Sequence, residues 1–408
     1  MTLWIDVSDL FGHAGAFRRP SGIQRVIFEL GRALTETSTP KIGFIRHSSR
    51  LTYAEVPWPD IVALFSSLSD DATPPTVTPT RPLRLQLEAF RALLAIPASL
   101  RPPRRTAAAP LQPDDTLLIL GAGWSDSGQV ARLARLRQQT GLRIALLVYD
   151  IIPLMRPEWT DPSNAARFQS WFDGMLGITD RLLAISAWTA RDIAIHRRRL
   201  GLPEIHIPLV RLGDGFSHAP PQTEAHHGID GAFALIVSTI ELRKNHAFLL
   251  DLWQALLARH GPAAIPKLVF AGRPGPLSHD LMQRLEASAN LRGHIILLPS
   301  ASDAEIAALY QGCSFTVFLS LYEGWGLPVA ESLCFGKPCI ASSATSVPEV
   351  GGDLVQIIDP RDLDAAIFCL EALLNDPAGL AAWQNAILRD FRPTPWLHTA
   401  DTLLAGLA

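Results

Sequence analysis

Leu319-Ser-Leu-Tyr-Glu323-Gly-Trp-Gly-Leu-Pro-Val-Ala-Glu331 decides the reading of this chain. The apolar run from Phe315 to Leu321 reads as a buried strand, and Pro328 to Phe335 reads as the start of a helix. Gly324 and Gly326 then fall at the strand-to-helix turn. A backbone without Cβ atoms lets a ligand approach closely there, and unpaired amides at a helix start can hold a phosphate. Glu323 falls in the loop and Glu331 in the first helical turn, with seven residues between them. A carboxylate accepts two hydrogen bonds, which suits a ribose diol or a sugar hydroxyl. Each residue alone has a plainer explanation, because the helix dipole favours an acid near a helix start and glycines turn chains. The combination of strand, acid, Gly-x-Gly, helix-start proline and second acid points to a ligand.

Composition narrows the class. At 408 residues the chain is long for one core and implies two domains. A hydrophobic content of 48% with 18% charged residues suits a well-buried globular enzyme. The net charge of -3 gives no basic footprint for nucleic acid. Cys313, Cys334, Cys339 and Cys369 all lie in apolar surroundings without a Cys-x-x-Cys pair, so they read as reduced core thiols of a cytosolic protein. The opening residues Met1 to Asp6 lack the basic region of a signal peptide, and Asp150 interrupts the best apolar run, Ile144 to Met155. Lysine occurs only at positions 41, 244, 267 and 337, which singles out Lys244 among the basic residues.

Strands alternate with helices along the chain, the pattern of doubly wound parallel sheets. Expected strands are Leu3–Val7, Thr116–Leu120, Ile144–Val148 and Leu182–Ile185 in the first half, then Phe233–Val237, Lys267–Ala271 and Ile295–Leu298. Ile23, Val26, Ile27, Leu30 and Leu34 share one helical face behind the basic loop from Arg18 to Gly22. That loop fits an ordinary helix cap and an anion-facing loop equally well. Gly121-Ala-Gly123-Trp124 reads as a packing turn. Residues 57–115 form an insertion with a Pro/Thr-rich linker at 71–82 and an arginine-flanked amphipathic stretch at 81–105. Such a stretch packs on the domain as a solvated insertion or lies on an anionic membrane surface. The polar segment 213–231 suits an interdomain linker.

In open α/β sheets, ligands bind beyond the carboxyl ends of strands. In the second domain this points to Thr239 through Lys244, to the loop after Leu298, and to Tyr322 through Gly326. Arg243 and Lys244 precede a helix, where a diphosphate gains from both cations and the helix start. Asp362-Leu363-Asp364 formally offers a metal motif, but helix-capping acids explain it more simply.

The stretch 322–350 resembles the signature of the large retaining glycosyltransferase family with the GT-B fold. The matching residues are Glu323 and Glu331, then Gly336-Lys337-Pro338 and Pro348-Glu349. The resemblance implies two doubly wound, Rossmann-like domains facing across a cleft: 1–214 for the acceptor and 215–390 for a nucleotide sugar, with 391–408 returning to the first domain. It gives Lys244 the donor phosphates, Glu331 the ribose, Glu323 the donor sugar, and the backbone at Gly326 and Leu327 the phosphate or sugar oxygens. Gly324 and Trp325 complete this loop, and the Leu298 region lies beside the nucleobase. Many members carry an arginine where this chain has Thr239, and Arg243 substitutes for it. In the first domain Val148-Tyr149-Asp150-Ile-Ile-Pro resembles a His-Asp-x-x-Pro segment, with tyrosine in place of the histidine. Asp150 then orients the acceptor or donor, and Gly22 and Tyr149 lie at the cleft. The implied reaction is hexose transfer with retention, mannose from GDP-mannose being the first choice, to a glycan or lipid-linked hydroxyl in bacterial polysaccharide synthesis. No cofactor and no obligatory metal are expected, and the location is the cytoplasm, at the inner membrane face if 81–105 contacts lipid. The rivals are a nucleotide-sugar 2-epimerase and a catalytically silent sugar-nucleotide-binding protein.

Overall fold

The computed structural model describes residues 1–16, 19–49, 52–69, 108–215, 229–275 and 277–408. They divide into two compact units. The first comprises Met1–Val148, Ala166–Leu183 and Trp396–Ala408; the second comprises Tyr149–Ala165 and Ala184–Pro395. The stretch 81–105 lies outside the described residues, as does much of the expected linker.

The first unit is built on a six-stranded sheet: β1 (Thr2–Asp6), β2 (Lys41–Ser49), β3 (Thr52–Glu55), β4 (Thr116–Ile119), β5 (Arg143–Val148) and β6 (Arg181–Ala184), in the order β3-β2-β1-β4-β5-β6. Neighbouring β2, β1, β4 and β5 run parallel, and β3 folds back antiparallel on β2. Leu3, Trp4 and Ile5 are all buried, as a central parallel strand covered on both faces requires. Trp4 donates its indole N–H to Asp115 (3.0 Å), and Asp115 also accepts from the Thr2 amide (2.6 Å). The helix Gly22–Thr35 buries Val26, Ile27, Leu30 and Leu34, the face expected from their spacing. The helix Trp396–Leu407 belongs to this unit.

The second unit repeats the topology. Its strands are β7 (Phe233–Val237), β8 (Lys267–Ala271), β9 (Ile295–Leu298), β10 (Phe315–Phe318), β11 (Cys339–Ser342) and β12 (Gln356–Ile358), in the order β12-β11-β10-β7-β8-β9, all parallel. Alternate residues of β7 and β8 enter different cores. Ala234, Ile236, Leu268 and Phe270 pack with Leu249, Trp253 and Leu256. Phe233, Leu235, Val269 and Ala271 pack with Leu309 and Tyr310. Burial of both faces is what makes these strands uniformly apolar in sequence.

Several expectations need correction. Strands β2 and β3 were not foreseen: in β2 the short run Ile42-Gly-Phe-Ile45 gives way to Arg46-His-Ser-Ser, and Thr52-Tyr-Ala-Glu of the edge strand β3 carries no apolar run. The strand expected to reach Leu321 stops at Phe318. The boundary expected at 214 and 215 is not where packing divides the chain, because 149–165 and 184–214 belong to the second unit. Tyr149 carries the reason: a Cβ at Gly324 would lie 2.1 Å from the Tyr149 carbonyl oxygen, so these two backbones are in contact. Among the described residues no single helix is long and apolar enough to cross a membrane.

Gly43 lies opposite Trp4 in the β1–β2 ladder, and a Cβ there would meet the indole at 2.4 Å. Overpacking a filled core costs about 1–3 kcal/mol. Gly43→Ala therefore lowers the urea midpoint with the denaturant slope unchanged; a midpoint equal to wild type would show that Trp4 is free to move.

Candidate functional site

The strand order of the second unit reverses between β7 and β10, so the crevice at their carboxyl ends is the switch point where a doubly wound sheet binds ligands. The loop after β7 carries Thr239, Arg243 and Lys244, and the loop after β10 carries Tyr322 through Gly326. Backbone and side-chain bonds join the two loops. The Leu321 amide donates to the Arg243 carbonyl (2.7 Å). Asn245 holds a left-handed backbone (φ 65°), and its side-chain amide donates to Leu319 (3.0 Å) and Pro360 (2.8 Å) carbonyls.

Glu323 is the centre of this arrangement. Lys244 Nζ lies 2.5 Å from its Oε1, and Arg243 Nη1 lies 2.8 Å from its Oε2. Glu323 is 6% exposed and Lys244 8%. Burial opposes ionisation of Glu323, but Lys244 and Arg243 outweigh it and hold the carboxyl down to about 2. Burial and the neighbouring Arg243 pull the Lys244 ammonium below its ordinary value, against the pull of Glu323. Burial likewise disfavours charge on Arg243, yet Glu323, Glu241 and Asp150 raise its pKa, so it stays a cation. Arg243 also donates to the Tyr322 carbonyl (3.3 Å) and pairs with Glu241 through Nε (2.8 Å), while Lys244 sits 5.2 Å from the centre of the Phe318 ring. The Glu323 backbone is fixed separately. Its amide donates to Thr345 (2.9 Å), and the Ser346 hydroxyl bridges the carbonyls of Glu323 (2.9 Å) and Trp325 (3.0 Å).

Asp150 joins the same group. Its Oδ1 accepts from the Ile152 amide (3.0 Å), the capping role considered for it, and burial raises its pKa while Arg243 works against that. Its charge is felt by Arg243, and it feels Glu323 and Lys244 in turn. Gly324 allows this approach, since a Cβ there would come within 2.9 Å of the Asp150 Cβ. Trp325 is buried beneath Arg211, whose guanidinium lies 5.0 Å from the ring centre, and its indole nitrogen has no hydrogen-bond partner among the described residues.

Glu331 stands apart from this cluster. The helix Leu327–Cys334 starts one residue earlier than expected, so Glu331 opens its second turn rather than lying in the first. Its Oε2 accepts from the Tyr310 hydroxyl (2.9 Å), and Tyr310 stacks on Phe335 with ring centres 5.2 Å apart. Burial and the Glu331 charge keep that hydroxyl protonated and donating. Gly326 caps the helix with φ 126°, a conformation that excludes side chains, and Pro328 removes one amide from the first turn. Leu327 is the first helical residue. Thr239 lies against Gly275, 2.7 Å from where a Cβ would stand there. Leu298 ends β9, two strands along from β7, or about 10 Å at ordinary strand spacing. Gly22 opens the helix Gly22–Thr35 of the first unit. Asp362 accepts from the Ala365 amide (2.9 Å) as a helix cap.

Sequence reasoning missed Thr345, Ser346, Tyr310, Asn245 and the network behind Tyr322. Tyr322 donates to Asp192 Oδ2 (2.5 Å) and accepts from the Trp188 indole (3.1 Å). Glu349 accepts from the Ala187 (2.8 Å) and Trp188 (3.0 Å) amides, which open the helix Ala187–Arg199, and the Thr189 hydroxyl donates to the Tyr149 carbonyl (3.0 Å). Only the Pro348-Glu349 pair gave any signal of this.

Residues 223–389 match the family model described as glycosyl transferases group 1. The O-antigen chain mannosyltransferase B of Escherichia coli is 35% identical over 242 residues, which are 57% of this chain and 62% of that relative. The serotype-specific mannosyltransferase WbdA of Escherichia coli is 26% identical over 319 residues, 74% of this chain and 38% of that relative. The chain thus spans less than two thirds of these relatives' lengths. The crystal structure of Anabaena Alr3699/HepE with UDP-glucose superposes with a TM-score of 0.63 at 14% identity, covering 100% of this chain and 99% of that one. The fold is that of the GT-B glycosyltransferases, two Rossmann-like domains.

Asp192 supplies a pH test of the network. Burial, opposed by the Tyr322 hydrogen bond, raises its carboxyl to about 6; Arg191 and Arg199 lower it and Asp150 raises it. A carboxyl whose pKa is raised on folding keeps its proton in the native state, so stability falls as pH rises from about 4 to 6. Asp192→Asn still accepts from Tyr322 but cannot ionise. Its stability relative to wild type is therefore greater at pH 7 than at pH 4 in chemical denaturation, and an equal difference at both values would contradict the assignment.

Proposed function

We propose that the protein is a glycosyltransferase of the group 1 family, whose model residues 223–389 match, and that it moves a hexose from a nucleotide diphosphate sugar to a hydroxyl of a growing bacterial polysaccharide. The observation that carries the reading is the pairing of buried Lys244 with partly exposed Arg243 at a switch point, with Glu331 on the helix that follows. Two cations side by side, held by Glu323 and Glu241, can exchange carboxylate partners for the oxygens of a diphosphate that develops further charge as its sugar departs. No metal is needed in this reading. Arg243 is engaged through Nε and Nη1 by Glu241, Glu323 and the Tyr322 carbonyl, and a guanidinium has donors beyond those.

Mannose is the proposed sugar, carried on GDP. Support for the sugar comes from the two Escherichia coli relatives, both named as mannosyltransferases. Glu331 takes the ribose hydroxyls, held in one orientation by Tyr310, and Leu298 lies at the distance of the base. Glu323 positions the sugar. A carboxyl held at about 2 by two cations is a weak base and a weak nucleophile, so a covalent sugar ester on it is disfavoured. We therefore favour front-face transfer with retention. The bond from the anomeric carbon to phosphate breaks, the acceptor oxygen bonds on the same face, and its proton passes to the departing phosphate. Asp150, beside the same cations, orients the reacting hydroxyl, and Tyr149 takes the place of the usual histidine without acting as a base. We place the reaction in the cytoplasm.

The test is a panel of nucleotide sugars in thermal unfolding, since a ligand at one hundred times its dissociation constant stabilises by about 2.7 kcal/mol. GDP-mannose gives the largest shift, and Glu331→Ala removes most of it; an unchanged shift in that variant would sink the donor placement. Turnover requires an acceptor glycan, and the NMR coupling of the first-formed product shows the donor's anomeric configuration. Conversion of the donor alone would identify an epimerase instead.

A further inference from the structure

The helix Ala187–Arg199 opens on a chain of hydroxyls that leads out of the helix. Ser186 caps it: the serine hydroxyl accepts from the Thr189 amide (3.0 Å) and donates to the Thr189 hydroxyl (3.0 Å). The proton of Thr189 Oγ1 then goes to the Tyr149 carbonyl (3.0 Å), 40 positions earlier in the chain. The Gly324 carbonyl stands 3.4 Å from the same Oγ1. A threonine hydroxyl in a helix ordinarily bonds a carbonyl three or four residues before it in the same helix. Here both carbonyls within reach lie elsewhere, one on the segment that carries Asp150 and one on the segment that carries Glu323. Thr189 is 1% exposed and Ser186 2%, so these bonds are made away from water.

The bond falls where a small displacement matters. Tyr149 and Asp150 share a peptide group, and its oxygen is the atom that Thr189 holds. The same oxygen lies against Gly324, where a Cβ would stand 2.1 Å from it. Asp150 follows directly, with Oδ1 accepting from the Ile152 amide (3.0 Å) and its charge coupled to Arg243, Lys244 and Glu323. Turning the peptide away from Thr189 would carry the Asp150 side chain with it. The helix itself has other anchors. Glu349 accepts from the Ala187 and Trp188 amides, and the Trp188 indole donates to Tyr322. Those bonds keep the helix in place without the Thr189 hydroxyl, whose remaining effect is on the Tyr149–Asp150 peptide.

We propose that Thr189 is a positioning residue: its hydroxyl, aimed by Ser186, fixes the Tyr149–Asp150 peptide against Gly324 and so sets where the Asp150 carboxyl stands relative to Glu323. Its part in hexose transfer rests on the glycosyltransferase reading; the positioning of Asp150 does not. Misplacing a reacting group by about 1 Å costs up to about a hundredfold in rate, so one buried hydroxyl can govern chemistry that it never touches.

The full chain is compared with Thr189→Val, which keeps the shape and loses the hydroxyl, and with Thr189→Ser, which keeps the hydroxyl. Amide hydrogen exchange followed by NMR reads the position without any substrate. In Thr189→Val the Ile152 amide, bonded to Asp150, exchanges about tenfold faster while the amides of β5 keep their rates, and Thr189→Ser restores the wild-type rate. Release of GDP from GDP-mannose, with water as the acceptor, falls about tenfold in kcat at unchanged KM in Thr189→Val and recovers in Thr189→Ser. The proposal is overturned if Ile152 exchanges at the wild-type rate in Thr189→Val, or if Thr189→Ser does not restore it. It is equally overturned if exchange rises through β5 as well, since the hydroxyl then supports the fold as a whole. An unchanged kcat in Thr189→Val overturns the part in transfer. Should the exchange results hold while wild type releases no GDP, the donor reading fails and the positioning of Asp150 stands.

Discussion

A carboxylate buried beside a buried lysine and a partly exposed arginine is the constraint on which the second unit depends. Glu323 and Lys244 have given up water and Arg243 part of it, and such charges are tolerated only when their partners are held close and further hydrogen bonds complete the set. The rest of the local structure supplies that. Asn245 and the Leu321 amide bind the loop after β7 to the loop after β10, and Thr345 and Ser346 fix the backbone of Glu323 from the far side. Two loops that a bare sheet would leave independent are joined across the switch point. The same charges give the site its character, because Glu323 and Glu241 hold the two cations in place at the switch point.

The two units share one strand order, and in the second the strand ends bring cations and a helix start to the switch point. The Tyr322–Asp192–Trp188 network and the Glu349 carboxylate at the start of the helix Ala187–Arg199 tie that helix to the loop carrying Glu323. This is why residues early in the chain count with the second unit.

Much of the candidate site in the second unit was legible because its signals are local. Strands β7, β8 and β9 lie where their apolar runs begin and end, since a strand buried on both faces is written as continuous hydrophobic sequence. Lys244 stood out by the scarcity of lysine, and Gly324 by its place beside Glu323. Strands β2 and β3 were not legible, because the apolar run of β2 is only Ile42 to Ile45 and the edge strand β3 has none. Tyr310 was not legible as a partner of Glu331, being 21 positions away on another helix. Residues 149–165 and 184–214 group with the second unit by packing, which linker composition does not record.

The sequence by itself determined the class of fold and the segments that line the second unit's switch point, for these follow from periodicity and from residues adjacent in the chain. Only the tertiary structure decided that Glu323 is held by Arg243 and Lys244, that Glu331 is oriented by Tyr310, and that Thr189 reaches the Tyr149 and Gly324 carbonyls. Those pairings join residues up to 135 positions apart, Thr189 to Gly324, through sheet order and helix packing. A single chain carries no record of such distances, whereas burial makes each unmet charge costly enough to reveal them once the fold is known.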